Sequence, residues 1–322
     1  MLEYRYTSIF DVSGTKSFRL SAKQMFGEIG GNLQNLPEDM RSFMVADEGK
    51  LLFQVDQSGA EALIVAYLAE RGNYRELFDV GIKPHTYLAL NIFIDKFRGT
   101  YPKDRYLFRK PSELVQLPEW QKLNKFISKD ESNVTEYQLG KKIAHAKSYG
   151  MGPITFRKNV LQESQGEILL SSQECKHFLS MFELLFPEII EWQERLKKQV
   201  IETRVLHNLF GYPREFAGRW NMELEREALS YIPQSTVGVL TSLMFTALER
   251  LSRTTEPELD VLVNVHDAVV GQHLEDQVER ICRLTMDLFK RPLTAPSGEV
   301  FYMKSEAMVG KTWKKKDMRE VK

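Results

Sequence analysis

Two short stretches of this chain are too apolar to lie on a surface, and each delivers an aspartate. Lys50-Leu51-Leu52-Phe53-Gln54-Val55-Asp56 closes on a carboxylate and predicts a buried strand. Val261-Leu262-Val263-Asn264-Val265-His266-Asp267-Ala268-Val269-Val270 is β-branched on both sides of a His-Asp pair. It predicts two strands joined by a tight turn that presents His266 and Asp267. Such strands must be covered, and the rest of the chain offers mainly helices. Gly59 to Glu70, Thr135 to Tyr149, Ser171 to Phe186, Pro187 to Arg204, Leu224 to Leu251 and Asp276 to Lys290 carry helical patterns. Pro187 suits a helix start, and Pro233 is expected to bend the helix that contains it. Leu206 to Phe216, around Gly211-Tyr212-Pro213, suits a hairpin. The first 40 residues read as loops and short extended pieces. A few strands among many helices place the chain in the α+β class, with helices packed against one antiparallel sheet.

A carboxylate at the end of an apolar strand loses hydration, and a divalent cation is one way to compensate. The plainer reading is that Asp56 and Asp267 each cap a turn, which aspartate does well. A second pattern is helical. Tyr137, Lys141, His145 and Tyr149 recur every four residues and so share one side of a helix, with Lys142, Lys147, Arg157 and Lys158 nearby. A cation with two rings on one face can hold a phosphate tail and stack on a base; a solvated amphipathic helix with aromatic residues in the core has the same spacing. Between Leu77 and Tyr137 the chain is rich in aromatic and basic residues, including Lys96, Arg98, Lys103, Arg105, Arg109 and Lys110.

Charge and cysteine content narrow the classes. Lys plus Arg and Asp plus Glu are 44 each, so affinity for a polyanion must come from local patches. The two cysteines, Cys175 and Cys282, exclude a disulfide scaffold and fit a reducing compartment. The absence of Cys-x-x-Cys and His-Glu-x-x-His argues against a structural or protease-type zinc site. Glu3, Arg5, Asp11 and Lys16 leave no room for a signal peptide, and the longest uncharged run, Tyr231 to Leu248, holds too many polar residues to span a membrane. The expected location is the cytoplasm.

Together these pieces resemble the polymerase domain of family A DNA polymerases, particularly its bacteriophage branch. Val55-Asp56-Gln57-Ser58-Gly59-Ala60-Glu61 resembles motif A, Lys141-Lys142-Ile143-Ala144-His145-Ala146-Lys147-Ser148-Tyr149-Gly150-Met151 motif B, and Val265-His266-Asp267-Ala268 motif C. Supporting blocks fall in the family's order: Arg19-Leu20-Ser21, Asn32-Leu33-Gln34-Asn35-Leu36-Pro37, Pro84-His85-Thr86, and Glu225-Arg226 with Pro233-Gln234-Ser235-Thr236. The resemblance runs from near Tyr6 to Trp313. It implies a right-hand palm, an antiparallel sheet with helices on one face, in residues 1–70 and 224–322, and a helical fingers subdomain in residues 71–223.

The same resemblance implies roles. Asp56 and Asp267, with the backbone carbonyl of Gln57, would hold two Mg2+ ions. Lys141 would meet the triphosphate and act as general acid, His145 would stack on the incoming base, and Tyr149 would back the nascent pair. Arg19 and Gln234 would read the minor groove at the primer end. Arg226 would contact the template and His266 the primer terminus, and Gln34 joins the DNA-binding set. Gln57 and Glu61 would flank the nucleotide, Glu61 excluding a ribose 2′-hydroxyl; this favours a DNA over an RNA polymerase. Ser58-Gly59-Ala60-Glu61 also reads as a capping box. The implied partners are primer-template DNA and deoxynucleoside triphosphates; no membrane is involved. Only 18 residues precede Arg19, where the family has a thumb and usually an exonuclease domain, so the reading is palm plus fingers alone: one product of a split polymerase with a separate thumb or exonuclease chain, a truncated chain, or a minimal enzyme. Three positions depart from the family. Tyr137 stands where an Arg meets the triphosphate, with Lys142 or Lys147 as candidate substitutes; Ala268 replaces the motif C glutamate; Gln57 replaces the motif A tyrosine. These departures read as variation within an active enzyme; Tyr137 and Ala268 favour the rival reading, a catalytically weakened nucleic-acid-binding subunit of a split polymerase that needs a thumb-bearing partner.

Overall fold

The computed structural model describes residues 5–12, 14–23, 30–97 and 106–321. Arg98, Lys103 and Arg105 of the basic stretch lie outside the described residues. In chain order, β1 (Ile9–Asp11) and β2 (Ser21–Lys23) pair antiparallel before β3 (Lys50–Gln57). Then come α1 (Ala60–Leu68), α2 (Asn73–Asp79), α3 (Pro84–Ile92), α4 (Pro111–Leu114) and α5 (Trp120–Lys129). They are followed by α6 (Val134–Ser148), α7 (Pro153–Glu163), α8 (Ser172–Leu185) and α9 (Pro187–Thr203). The ribbon β4 (Val205–His207) and β5 (Pro213–Glu215) leads into α10 (Met222–Ser252). Last are β6 (Asp260–Val265), β7 (Ala268–Leu274), α11 (Val278–Phe289), β8 (Pro292–Thr294), β9 (Val300–Tyr302), β10 (Ser305–Gly310) and β11 (Arg319–Val321).

Contacts divide the chain into two units. Met1–Glu61, His207–Arg214 and Tyr231–Lys322 form one; Ala62–Leu206 and Glu215–Ser230 form the other. The first is built on a five-stranded antiparallel sheet in the order β11-β10-β3-β7-β6. Strand alternation sorts its central residues. Leu52, Gln54 and Asp56 of β3 share a face with Val270 and Ala268 of β7 and Met308 of β10. Leu33, Ala46, Trp313 and Met318 close over the apolar part of that face. Phe53, Val55 and Gln57 point the other way, where α10 and α11 pack; α11 buries Val278, Ile281, Cys282, Thr285 and Phe289 at helical spacing. The fold is thus mixed α+β around an antiparallel sheet.

The second unit is helical. Its α8 opens with a capping box, Ser171 accepting from the Glu174 amide while the Glu174 carboxylate accepts from the Ser171 amide. Pro187 starts α9, which ends at Arg204 in a left-handed conformation, φ 60°. α3 and α6 pack closely. A Cβ at Gly140 of α6 would come within 2.4 Å of the His85 carbonyl oxygen of α3, so only glycine permits this approach.

The strands and helices expected from sequence are present within a few residues, and α10 continues through Pro233. Strands β8 to β11, the helices from α2 to α5, and α7 are additional elements. Among the described residues, no helix is long and apolar enough to cross a membrane.

Candidate functional site

The register of β3 against β7 sets the geometry of the first unit's site. Asp56 lies opposite Ala268, so Asp267 stands one residue further on, in the two-residue turn between β6 and β7. The Gln57 amide donates to the Asp267 carbonyl at 3.1 Å. The Gln57 side chain, 1% exposed, donates from Nε2 to the same carbonyl at 3.3 Å and to Thr241 Oγ1 of α10 at 2.7 Å. Gln57 therefore ties both aspartate-bearing segments to the helix behind them. Burial, and then the charge of Asp267, push the Asp56 carboxyl up to about 7; Glu306 on β10 adds to the rise and Lys315 opposes it. Burial also raises Asp267, against the pull of Arg19. Asp56 Oδ1 is buried without a hydrogen-bond partner. Two carboxyl groups are thus held together and undercompensated, which suits a hard divalent cation. Among the described residues, no three His, Cys, Asp or Glu side chains are already gathered around a point where an ion could sit. Magnesium commonly takes one or two carboxylates and completes its shell with water and phosphate oxygens.

Around this pair the structure gathers several of the expected residues. His266 is exposed at the turn with φ 53°, a left-handed value uncommon for a residue with a Cβ. Burial and the nearby Arg19 lower its pKa, and Asp267 and Glu61 oppose them. Arg19 forms an ion pair with Glu61. Its segment crosses α10 at Gly238, where a Cβ would meet the Ser17 carbonyl oxygen at 2.7 Å and the Arg19 amide at 3.1 Å. Gln234 is partly buried one turn earlier on the same helix.

Gln34 is 6% exposed; its Nε2 donates to the Leu20 and Asn264 carbonyls and its Oε1 accepts from the Ala22 amide. Its amide is engaged inside the fold, where it clamps the Arg19 segment to β6. Helix α1 starts at Ala60, directly after Gly59 at φ 61°.

In the second unit, α6 carries Tyr137, Lys141 and His145, and Tyr149 follows as its C-cap. The His145 and Tyr149 rings meet edge to face at 5.1 Å. Lys141 and His145, with Gln138 and Lys142, line a cavity of about 290 Å³ that Phe156 and Asn159 of α7 close from the other side. Tyr137 turns to His85, its hydroxyl 2.7 Å from Nε2. Burial, with Lys83 and Lys141 nearby, lowers His85 to about 4, so the imidazole is neutral at pH 7. Neither lysine expected to replace the family's Arg stands free: Lys142 pairs with Glu163, and Lys147 with Glu183 at 2.5 Å. Arg226 is partly buried in the first turns of α10, beside the 2.8 Å ion pair of Lys197 and Glu225. Sequence reasoning missed Glu306, Lys315 and Thr241 because the first two lie in and beyond strands that it did not foresee; only the PHT block hinted at His85.

No family model matches the chain. It is 21% identical over 301 residues to DNA polymerase I of Geobacillus stearothermophilus, covering 89% of this chain and 29% of that protein. It is 22% identical over 316 residues to the thermostable DNA polymerase I of Thermus aquaticus, covering 94% and 32%. Among solved structures it is similar to the polymerase domain of Pol1 from M. smegmatis in complex with DNA primer-template and dNTP. The TM-score is 0.70 at 18% identity, over 95% of this chain and 48% of that one. The chain is a distant homologue of DNA polymerase I over most of its length, with the fold of the polymerase domain. It spans under a third of the length of these curated relatives (29% and 32%).

Proposed function

We propose that the chain is a polymerase module that adds deoxynucleotides to a primer 3′ end under the direction of a template. The observation that supports this most is the β3–β7 register, which holds two undercompensated carboxylates together at a strand end. In this reading the sheet-bearing unit is the palm and the helical unit the fingers. Asp56 and Asp267, with the Gln57 carbonyl, would hold two Mg2+ ions. When bound, the ions would supply Lewis-acid activation of the attacking hydroxyl and charge stabilisation of the leaving pyrophosphate.

The remaining roles belong to the chain's own groups. Lys141 sets its charge against the triphosphate and supplies a proton to pyrophosphate. His145 stacks on the incoming base and Tyr149 closes behind the new pair, each ring braced by the other. Arg19 and Gln234 donate to minor-groove acceptors, which every correct pair presents alike. Arg226 meets the template, His266 the primer terminus, and Glu61 the sugar. The resemblance to bacteriophage members rests on the motif sequences.

Primer extension with magnesium and four deoxynucleotides tests the reading. Asp56→Asn and Asp267→Asn should each lower the rate on the order of a thousandfold or more, because several kcal/mol of transition-state stabilisation is removed. Near-normal extension by either variant would sink the two-ion reading. The Tyr137–His85 hydrogen bond supports the second reading, a nucleic-acid-binding subunit with weakened chemistry. Primer-template binding without extension, restored by lysate from the source, would favour it.

A further inference from the structure

We propose that Glu306 is a third carboxylate of the metal site, supplied from β10 where β7 carries Ala268. The proposal rests on the two-ion reading given above. Residues directly opposite each other on antiparallel strands point to the same face of the sheet, with Cβ atoms roughly 5 Å apart. Asp56 has two such neighbours, Ala268 on β7 and Glu306 on β10. The three make one row across the sheet. On the β7 side the row ends in a buried methyl group, 2% exposed, with no oxygen to offer. On the β10 side it ends in an exposed carboxylate that makes no hydrogen bond or ion pair among the described residues. A glutamate side chain is long enough to cross the remaining gap to an ion held by Asp56.

The placement is costly unless something positive joins it. Like charges directly opposite on neighbouring strands destabilise a sheet. Elsewhere this face is largely apolar, with Leu52, Val270 and Met308 packed together. A bound cation converts the unfavourable Asp56–Glu306 pair into a ligand set. Lys315 is the rival compensation, since its charge also acts on Asp56. The two accounts differ in what Glu306 does for a metal ion.

The test is Mn2+ binding to the full chain without DNA, followed by the electron paramagnetic resonance of free Mn2+. Glu306→Gln should weaken Mn2+ affinity about 10- to 100-fold, the range seen when groups supporting a metal are removed. Its melting temperature without metal should stay level or rise. Ala268→Glu added to Glu306→Gln should recover much of the affinity, and Glu306→Asp should fall between Gln and wild type. Unchanged affinity in Glu306→Gln, with binding lost in Asp56→Asn, would overturn the role of Glu306 and leave the two-ion reading standing. Wild-type affinity in Asp56→Asn would overturn the two-ion reading itself.

Discussion

The carboxylate of Glu61 meets the guanidinium of Arg19, 42 positions away in the chain. Both side chains are partly buried, at 24% and 20% exposure, so the pair is worth about 1 kcal/mol or somewhat more. As Arg19's partner alone, Glu61→Ala costs that much stability and leaves sugar preference unchanged. As the group that excludes a 2′-hydroxyl, it also lets ribonucleotides in while deoxynucleotide incorporation falls modestly. We expect the second outcome, read from single-nucleotide incorporation of ribo- and deoxynucleotides by Glu61→Ala; unchanged discrimination leaves only the ion pair. His85 gives a prediction about pH. Its folded pKa of about 4 lies below the ordinary 6.5, so as pH falls through 6.5 the unfolded chain takes up a proton first. Its contribution is complete above pH 6.5 and is lost progressively toward pH 4, by up to about 3 kcal/mol. Burial lowers His266 and His273 in the same direction, so the readout is a difference. Urea unfolding of wild type should weaken more steeply from pH 7 to 4.5 than that of His85→Gln, whose amide can still meet Tyr137. Parallel slopes would show that His85 titrates normally.

At the scale of elements, α6 is placed by what Gly140 lacks. A methyl group there would sit 2.4 Å from a backbone oxygen of α3, which cannot rotate away as a side-chain end could. Gly140→Ala should therefore cost about 1–3 kcal/mol despite alanine's better helix propensity. It should also slow nucleotide incorporation, because Lys141 is the next residue. A stable, fully active Gly140→Ala protein would mean that α3 and α6 separate easily. Such close approaches explain what was legible in the sequence. β3, β6 and β7 carry their own apolar pattern, and α11 its own period, so local sequence suffices for each. β10 reads Ser305-Glu306-Ala307-Met308-Val309-Gly310, with a charge and three small residues, and becomes a strand because β3 needs a partner on that side. The carboxylate that this strand sets beside Asp56 was hidden for the same reason. Gln34 is a different case. Its motif was visible, but its three hydrogen bonds inside the fold were not, because no local pattern announces them.

At the scale of the whole molecule the governing quantity is charge. Lys plus Arg and Asp plus Glu are 44 each, so no net positive field draws a nucleic acid in, and several lysines are neutralised locally, Lys142 by Glu163 and Lys147 by Glu183 among them. In the proposed reading, affinity for the primer-template phosphates comes from a few cations, Arg226 among them. Each phosphate neutralised releases counterions, and the logarithm of affinity falls with that of salt by about 0.9 per contact. About four contacts would cost on the order of a hundredfold in affinity between 50 and 200 mM salt. We therefore expect this chain alone to hold a primer-template loosely at physiological salt and to add few nucleotides before letting go. The measurement is a salt series of equilibrium binding, paired with extension in the presence of a trap for released enzyme. A slope of eight or more, or long products made in a single encounter, would mean that a continuous basic surface exists despite the neutral total. A slope near four with short products would tie binding to those few side chains, and Arg226→Ala should then lower the slope by about one.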